Sequence, residues 1–395
     1  MTGSVSRGSR RKPESGSSHP IRRSRRVACG VCFPQLPDEQ FAAQFREALQ
    51  RWYLQHHRRL PWRATQDPYA ILVSEIMLQQ TQAATVVPYF RRFLDRFPDL
   101  ESLAQAPLEE VIGLWQGLGY YKRALALHQA ARILVRDHAG EFPREPMVLQ
   151  RLPGIGRYTA HAVLSQAFDL SLPIIEANSA RVYARMFTCA QPLTSSAVQR
   201  WLWQVAERLV APRQPGLFNQ AIMELGATIC LPRQPRCDAC PVAQFCHAWR
   251  YQRVTDFPVR GPARTVVQVA EVAIVIRNQD RWLVLQRAPD ADRWPSLWEF
   301  PHAETFLQES APQAVQRIAQ QLTALQVTPS QPLGHVRFSV TRFRIAMTVW
   351  HAWAQKKEIT LTSLHHAGRW LKRHQLRCLA WSTPQRRVLA MLDKS

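Results

Sequence analysis

Two carboxylates and four thiols carry the chemistry that this sequence could do. Glu75 stands in SEIMLQQ, among Ile71, Leu72, Val73, Ile76 and Leu78. An acid in apolar surroundings loses hydration, and its pKa rises toward the physiological range. Exposed on a helix, the same acid is ordinary surface polarity. Glu176 follows the apolar run LSLPII and precedes the cationic stretch ANSARVYARM. Its plain reading is a helix N-cap region, where an acid meets the positive end of the dipole. Its sharper reading is a second catalytic carboxylate. Cys230, Cys237, Cys240 and Cys246 are separated by six, two and five residues. Such a cluster points to a metal. Structural zinc sites pair their cysteines as two short-spaced couples. Here one couple is short, which fits a [4Fe–4S] cubane wrapped by a compact loop better than zinc or a chance core cluster. Arg233 and Arg236 in this loop either offer charge to phosphates or face solvent.

The elements that must position these groups fall into two textures. From about Phe41 to Trp249 the pattern is helical. Phe41, Phe45, Leu49 and Trp52 form one apolar stripe. DPYAILVSEIMLQQTQAATVVPYFRRFLDRF holds one or two helices, with Pro88 entering the second. PLEEVIGLWQGLG is a helix stopped by Gly117 and Gly119. LPGIGRYTAHAV puts two glycines after Pro153 and before a helix. Such a turn lets backbone amides and a helix N-terminus approach a DNA phosphate, as in a helix-hairpin-helix. After Cys246 the texture changes. VAEVAIVI and RWLVLQR read as strands around the hairpin signal RNQD. SAPQAVQRIAQQLTAL reads as a helix, and GHVRFSVTRFRIAMTVWHAWA alternates again. The division predicted is a disordered basic arm over 1–36, an all-α domain over 37–250 with the metal loop at 230–246, a linker over 251–267, and a small α+β domain over 268–395.

The chain has 395 residues, a formal net charge of +22 and 46% hydrophobic residues. That charge excess calls for an anionic partner, and nucleic acid is the commonest. No run of eighteen apolar residues exists to span a bilayer. The N-terminus lacks the apolar core of a signal peptide, and half of the eight cysteines cluster, which is no disulfide framework. The setting predicted is reducing and cytoplasmic.

LPWRATQDPYAILVSEIMLQQTQ, LWQGLGYYKRA, the Gly-x-Gly turn and the cysteine loop together resemble the adenine DNA glycosylase family, MutY. The resemblance runs from about residue 41 to 250, and more loosely to the C-terminus. It implies an all-α helix-hairpin-helix domain with a [4Fe–4S] cluster on the four cysteines, followed by an α+β Nudix-like domain. It implies a nucleoid-associated monomer that binds duplex DNA, flips adenine out from opposite 8-oxoguanine or guanine, and hydrolyses its glycosidic bond. Adenine departs from C1′ once N7 is protonated, and the sugar cation left behind wants an anion. By resemblance Glu75 is the proton donor and Glu176 the anion, with Asn178 beside it and Tyr158 hydrogen-bonded to it. Trp62 and Arg63 wall the adenine pocket and Gln220 contacts the base. Gln80, Thr81, Leu118 and Tyr120 wedge into the duplex, and Gly154 and Gly156 approach the backbone. The related endonuclease III carries a Schiff-base lysine where Tyr158 stands, so efficient lyase cleavage is not expected.

The C-terminal part resembles the Nudix-like domain of the family. Its AVQRIAQQL helix lacks the glutamates that hold magnesium, so nucleotide hydrolysis is not expected. A family tip that reads 8-oxoguanine aligns with Val340, Thr341 and Arg342, or, shifted by two, with Phe338 to Val340. Two departures touch the active centre. The family's Asp–Gly–Asn becomes Glu176–Ala177–Asn178, and a usual glycine becomes His161, which at three residues from Tyr158 is predicted to face the same site. Two other readings stand beside this one: the same fold with another target base, and a lesion-binding protein without turnover.

Overall fold

The computed structural model describes Met1, residues 33–261 and residues 265–393. Most of the predicted basic arm, with Cys29 and Cys32, lies outside the described residues.

Residues Glu39 to Arg250 form helices joined by short turns. The first, Glu39–His56, is capped by Asp38, whose carboxylate accepts from the Phe41 N–H at 2.8 Å. Its buried stripe is Ala42, Phe45, Leu49 and Tyr53, rotated slightly from the predicted one: Phe41 and Trp52 are only half-buried. The helix Pro68–Leu78 is capped by Asp67, which accepts from the Tyr69 and Ala70 N–H groups, and starts on a proline. That is the favoured N-terminal chemistry, because proline has no N–H to leave unpaired. Tyr69 to Met77 are all buried. A helix apolar all round belongs at the centre of a core, and this one carries Glu75. The next helix, Ala83–Arg96, contains Pro88 in its interior. The prediction that Pro88 enters it is corrected. The chain already turns helical at Ala83, and the proline removes one N–H from the ladder and crowds the carbonyl four residues back, which the packing of this helix tolerates. Leu108–Trp115 stops at Gly117 and Gly119, both at positive φ, as the sequence predicted.

The C-terminal part is a seven-stranded mixed sheet. Its strands are β1 Val267–Asn278, β2 Arg281–Arg287, β3 Trp298–Glu299, β4 His302–Glu304, β5 Val327–Val340, β6 Phe343–Ala354 and β7 His365–Leu371. The order is β3-β2-β1-β6-β5, with β4 against β1 and β7 against β2. β1 and β6 run parallel over a long register. The β1–β2 hairpin closes with Asn278 opposite Arg281. The helix Ala311–Thr323 buries Val315, Ile318 and Leu322 on one face of the sheet, and Val388 and Leu392 of the C-terminal helix pack on the other.

The sheet part is docked on the helices. Leu297 is buried in the helical core, Trp294 and Ala380 pack against it, and the Tyr121 hydroxyl donates to the Trp381 carbonyl at 3.1 Å. Among the described residues, no helix is long and apolar enough to cross a membrane.

Candidate active site

Glu75 is 3% exposed, and both of its oxygens are held. Tyr158, from the helix Arg157–Phe168, donates to Oε2 at 2.7 Å; Gln166, from the same helix, donates to Oε1 at 3.1 Å. Burial pushes the Glu75 carboxyl above its ordinary value, the two donors pull it back, nearby Glu176 raises it and Arg63 lowers it. The sum is upward, which is what a general acid working near neutral pH needs. The resemblance gave the Tyr158 hydrogen bond to Glu176. The structure puts it on Glu75, because Glu176 is already engaged by backbone.

Glu176 is the N-cap of the helix Ala177–Met186. Its carboxylate accepts from the N–H groups of Asn178 at 2.7 Å and Ser179 at 2.8 Å, and Ser179 Oγ accepts in return from the Glu176 N–H at 2.9 Å. The cap of the plain reading is thus the arrangement seen. A capped carboxylate is oriented, and here it lies close enough to Glu75 for their charges to interact. Burial raises its pKa; the two backbone donors and Arg181 oppose the rise. Ala177 opens the helix in right-handed backbone, so the glycine that the family has there meets no conformational need in this chain.

Close approach occurs one helix away. A Cβ on Gly226 would lie 2.6 Å from Asn178 Cβ and 3.1 Å from Asn178 backbone. Gly226→Ala is therefore expected to push the Glu176 helix away and to cost about 1–3 kcal/mol, read as a lower denaturant midpoint at unchanged m-value. Asn178 itself accepts from Arg181 at 2.8 Å, which also donates to the Gly226 and Cys230 carbonyls.

His161 does not face this site. Its Nδ1 lies 2.7 Å from the Pro173 carbonyl and its ring meets the edge of Trp203. Residues three apart on a helix diverge by about 60°, enough to send Tyr158 to Glu75 and His161 to the segment that leads into Glu176.

Of the predicted pocket residues, Gln220 is half-buried and bonded on both sides. It accepts from the Tyr53 hydroxyl at 2.6 Å and donates to Gln166 Oε1 at 3.0 Å. Trp62 is 4% exposed and packs edge-on against Phe90, so it belongs to the core. Arg63 reaches Glu224 at 2.7 Å and lies over the Tyr53 ring. Arg58 holds the same carboxylate at 2.7 Å. Burial alone would raise Glu224, but the two guanidiniums hold it down to about 2.

The wedge candidates sit on two neighbouring turns. Gln80 and Tyr120 are both at positive φ, and Tyr120 is 57% exposed; Leu118 is buried. Arg123, which the sequence reading missed, fastens both turns. It donates to the Ile76 and Met77 carbonyls, to Thr81 Oγ1 and to the Gly119 carbonyl, all between 2.8 and 3.2 Å. Gly154 has a φ of +76°, and a Cβ there would meet Ala126 at 2.7 Å; Gly156 caps the Tyr158 helix. Thr341 and Arg342 form the exposed turn between β5 and β6, with Val340 opposite Phe343. Phe338 lies within β5 and packs on Trp294.

Cys230, Cys237, Cys240 and Cys246 line one cavity, together with Arg185, Ile229 and Trp249. Arg185 Nη1 is 3.2 Å from Cys230 Sγ. Burial pushes the Cys240 thiol up to about 12. Among the described residues, no three acid, imidazole or thiol groups converge closely enough to hold a single metal ion.

Residues 73–208 match the family described as HhH-GPD superfamily base excision DNA repair protein, and residues 272–391 match the NUDIX domain family. The chain is 34% identical to adenine DNA glycosylase of Rattus norvegicus, over 89% of this chain and 78% of that protein. It is 33% identical to adenine DNA glycosylase of Homo sapiens, over 87% of this chain and 73% of that protein. A solved thermostable thymine-DNA glycosylase superposes with a TM-score of 0.50 at 30% identity, covering 54% of this chain and 98% of that one. With a buried acid beside a capped carboxylate on helices of this order, and relatives matched over most of their length, the chain belongs to the adenine DNA glycosylase family.

Proposed function

We propose that this base-excision glycosylase removes adenine from opposite 8-oxoguanine or guanine in duplex DNA. The observation that supports this most is Glu75, buried and held by Tyr158 and Gln166 beside Glu176. In the reaction the adenine is flipped from the stack. Glu75 gives its proton to N7, and the C1′–N9 bond breaks with its electron pair leaving on the base. Glu176 faces the positive charge that develops on the sugar. A water oxygen then bonds to C1′, and its proton returns to Glu75. Tyr158 offers no amine at that position, so efficient Schiff-base cleavage of the strand is not expected.

Glu176 tests the second half of this scheme. Glu176→Gln keeps a carbonyl to cap the helix but removes the charge, and single-turnover adenine release is expected to fall by about 10²-fold or more. Glu176→Asp keeps the charge but withdraws it by one C–C bond, and is expected to lose less than Glu176→Gln.

Thr341 and Arg342, at the exposed β5–β6 turn, are the residues that would meet the oxidised guanine. The four cysteines would hold a [4Fe–4S] cluster, whose thiolate ligands surround a cubane rather than a point, as these sulfurs surround a cavity. It would tie the 230–246 loop to the Glu176 helix through Arg185. The enzyme acts as a monomer on nucleoid DNA.

The solved thymine-DNA glycosylase shows that this architecture is compatible with another target, which sets the experiment. Base release is measured on A:8-oxoG, A:G and T:G duplexes. Adenine release from the first two is expected; thymine release alone, or none, overturns the reading.

A further inference from the structure

Four side chains form a single-file hydrogen-bonded chain through the centre of the site. The Tyr53 hydroxyl donates to Gln220 Oε1 at 2.6 Å, Gln220 Nε2 donates to Gln166 Oε1 at 3.0 Å, and Gln166 Nε2 donates to Glu75 Oε1 at 3.1 Å. Each amide has its carbonyl toward Tyr53 and its N–H toward Glu75. This direction suits an ionised Glu75, which only accepts. A proton on Glu75 Oε1 turns that oxygen into a donor. Gln166 must then present its carbonyl, Gln220 must follow, and Tyr53 must accept. The amides at Gln166 and Gln220 therefore turn together with the proton.

We propose that Gln166 is a positioning residue that couples the orientation of the Gln220 carboxamide to the protonation of Glu75. This rests on Gln220 as the base-reading side chain and Glu75 as the acid. A base edge that prefers one face of Gln220 thereby favours one protonation state of Glu75. Coupling between two bound species is reciprocal, so the proton on Glu75 also selects the base. Tyr53 can serve at the head of the chain because burial pushes its hydroxyl up to about 12 and leaves it protonated. The other polar or charged groups that act on Glu75 are Tyr158 on Oε2, Glu176 from its helix cap and Arg63 from the Pro61–Arg63 turn. Arg123 approaches the same helix but binds its C-terminal carbonyls. None of these touches Oε1, whose one protein donor among the described residues is Gln166.

The test is the titration of Glu75 by ¹³C NMR of its carboxyl carbon in the folded protein, which needs no turnover. Gln166→Leu removes a donor to the carboxylate, so the midpoint is expected to move up by about half a pH unit or more. Tyr53→Phe deletes one oxygen three hydrogen bonds away, and is expected to move it the same way by a smaller step. In the Gln166→Leu background, Tyr53→Phe and Gln220→Leu are expected to add nothing. The alkaline limb of the single-turnover pH profile should follow the same order. Unchanged midpoints in Gln166→Leu, or shifts that add in the double variants, overturn the coupling. Tyr53→Phe alone decides it if leucine at 166 is not tolerated, since no shift there breaks the chain. Failure of the wild-type protein to release adenine would overturn the functional reading and leave this titration readable.

Discussion

Glu75→Gln is expected to lower single-turnover adenine release by about 10³-fold, while the protein becomes more stable. The loss follows from the proton, since an amide keeps the side chain's size and can still accept from Tyr158 or Gln166 with its one oxygen, but cannot protonate N7. The stability gain follows from the same burial. The folded-state pKa of Glu75 lies above its unfolded value, because burial outweighs its two donors. Its stability contribution is therefore full below the unfolded pKa and is lost as pH rises through the folded one. Glutamine does not titrate. The melting-temperature difference between variant and wild type should accordingly be larger at pH 8 than at pH 5. A difference that shrinks with rising pH would mean that Glu75 is ionised and satisfied, and the acid would have to be sought elsewhere.

Arg123→Met should have the largest effect of any substitution outside the acid pair. Arg123 is 8% exposed, and burial lowers its pKa to about 10, so it stays charged at neutral pH. It satisfies carbonyls on the Glu75 helix and on both wedge turns, and its plane lies near the Trp115 and Tyr120 rings. Methionine fills similar volume but leaves those carbonyls without their donor. A cost of about 3 kcal/mol or more is expected in urea unfolding. Because Gln80 and Tyr120 share this anchor, base flipping should suffer beyond the stability loss. Binding of a duplex with a fluorescent adenine analogue, measured well below the melting temperature, should show weaker flipping. Intact flipping would mean that DNA itself orders the two turns.

Much of the fold was legible because it rests on local chemistry. The glycines after Trp115 mark a helix end by which φ they permit. RNQD marks a hairpin in the same way. The stripe on the first helix was misjudged by one residue, and Pro88 by half a helix, because a local pattern fixes a face only to within a neighbour and a helix held by tertiary packing tolerates an interior proline. Tyr158 was found, but its partner was not. Partner choice depends on which acceptor remains free once Glu176 has turned to its own backbone.

The sequence by itself placed two acids, a Gly-x-Gly turn and a four-cysteine loop in a helical stretch, with a β-rich part after it. Those are statements about residue type and spacing along the chain, which local propensity and motif order preserve. Only the tertiary structure decided that Gln166 joins Gln220 to Glu75, that Arg123 ties two turns 40 residues apart, that Arg58 and Arg63 share Glu224, and that Trp294 and Leu297 dock the sheet on the helices. Each of these pairs residues far apart in sequence. A buried polar group takes whichever partner the packing of distant helices brings within about 3 Å, and no spacing along the chain encodes that distance.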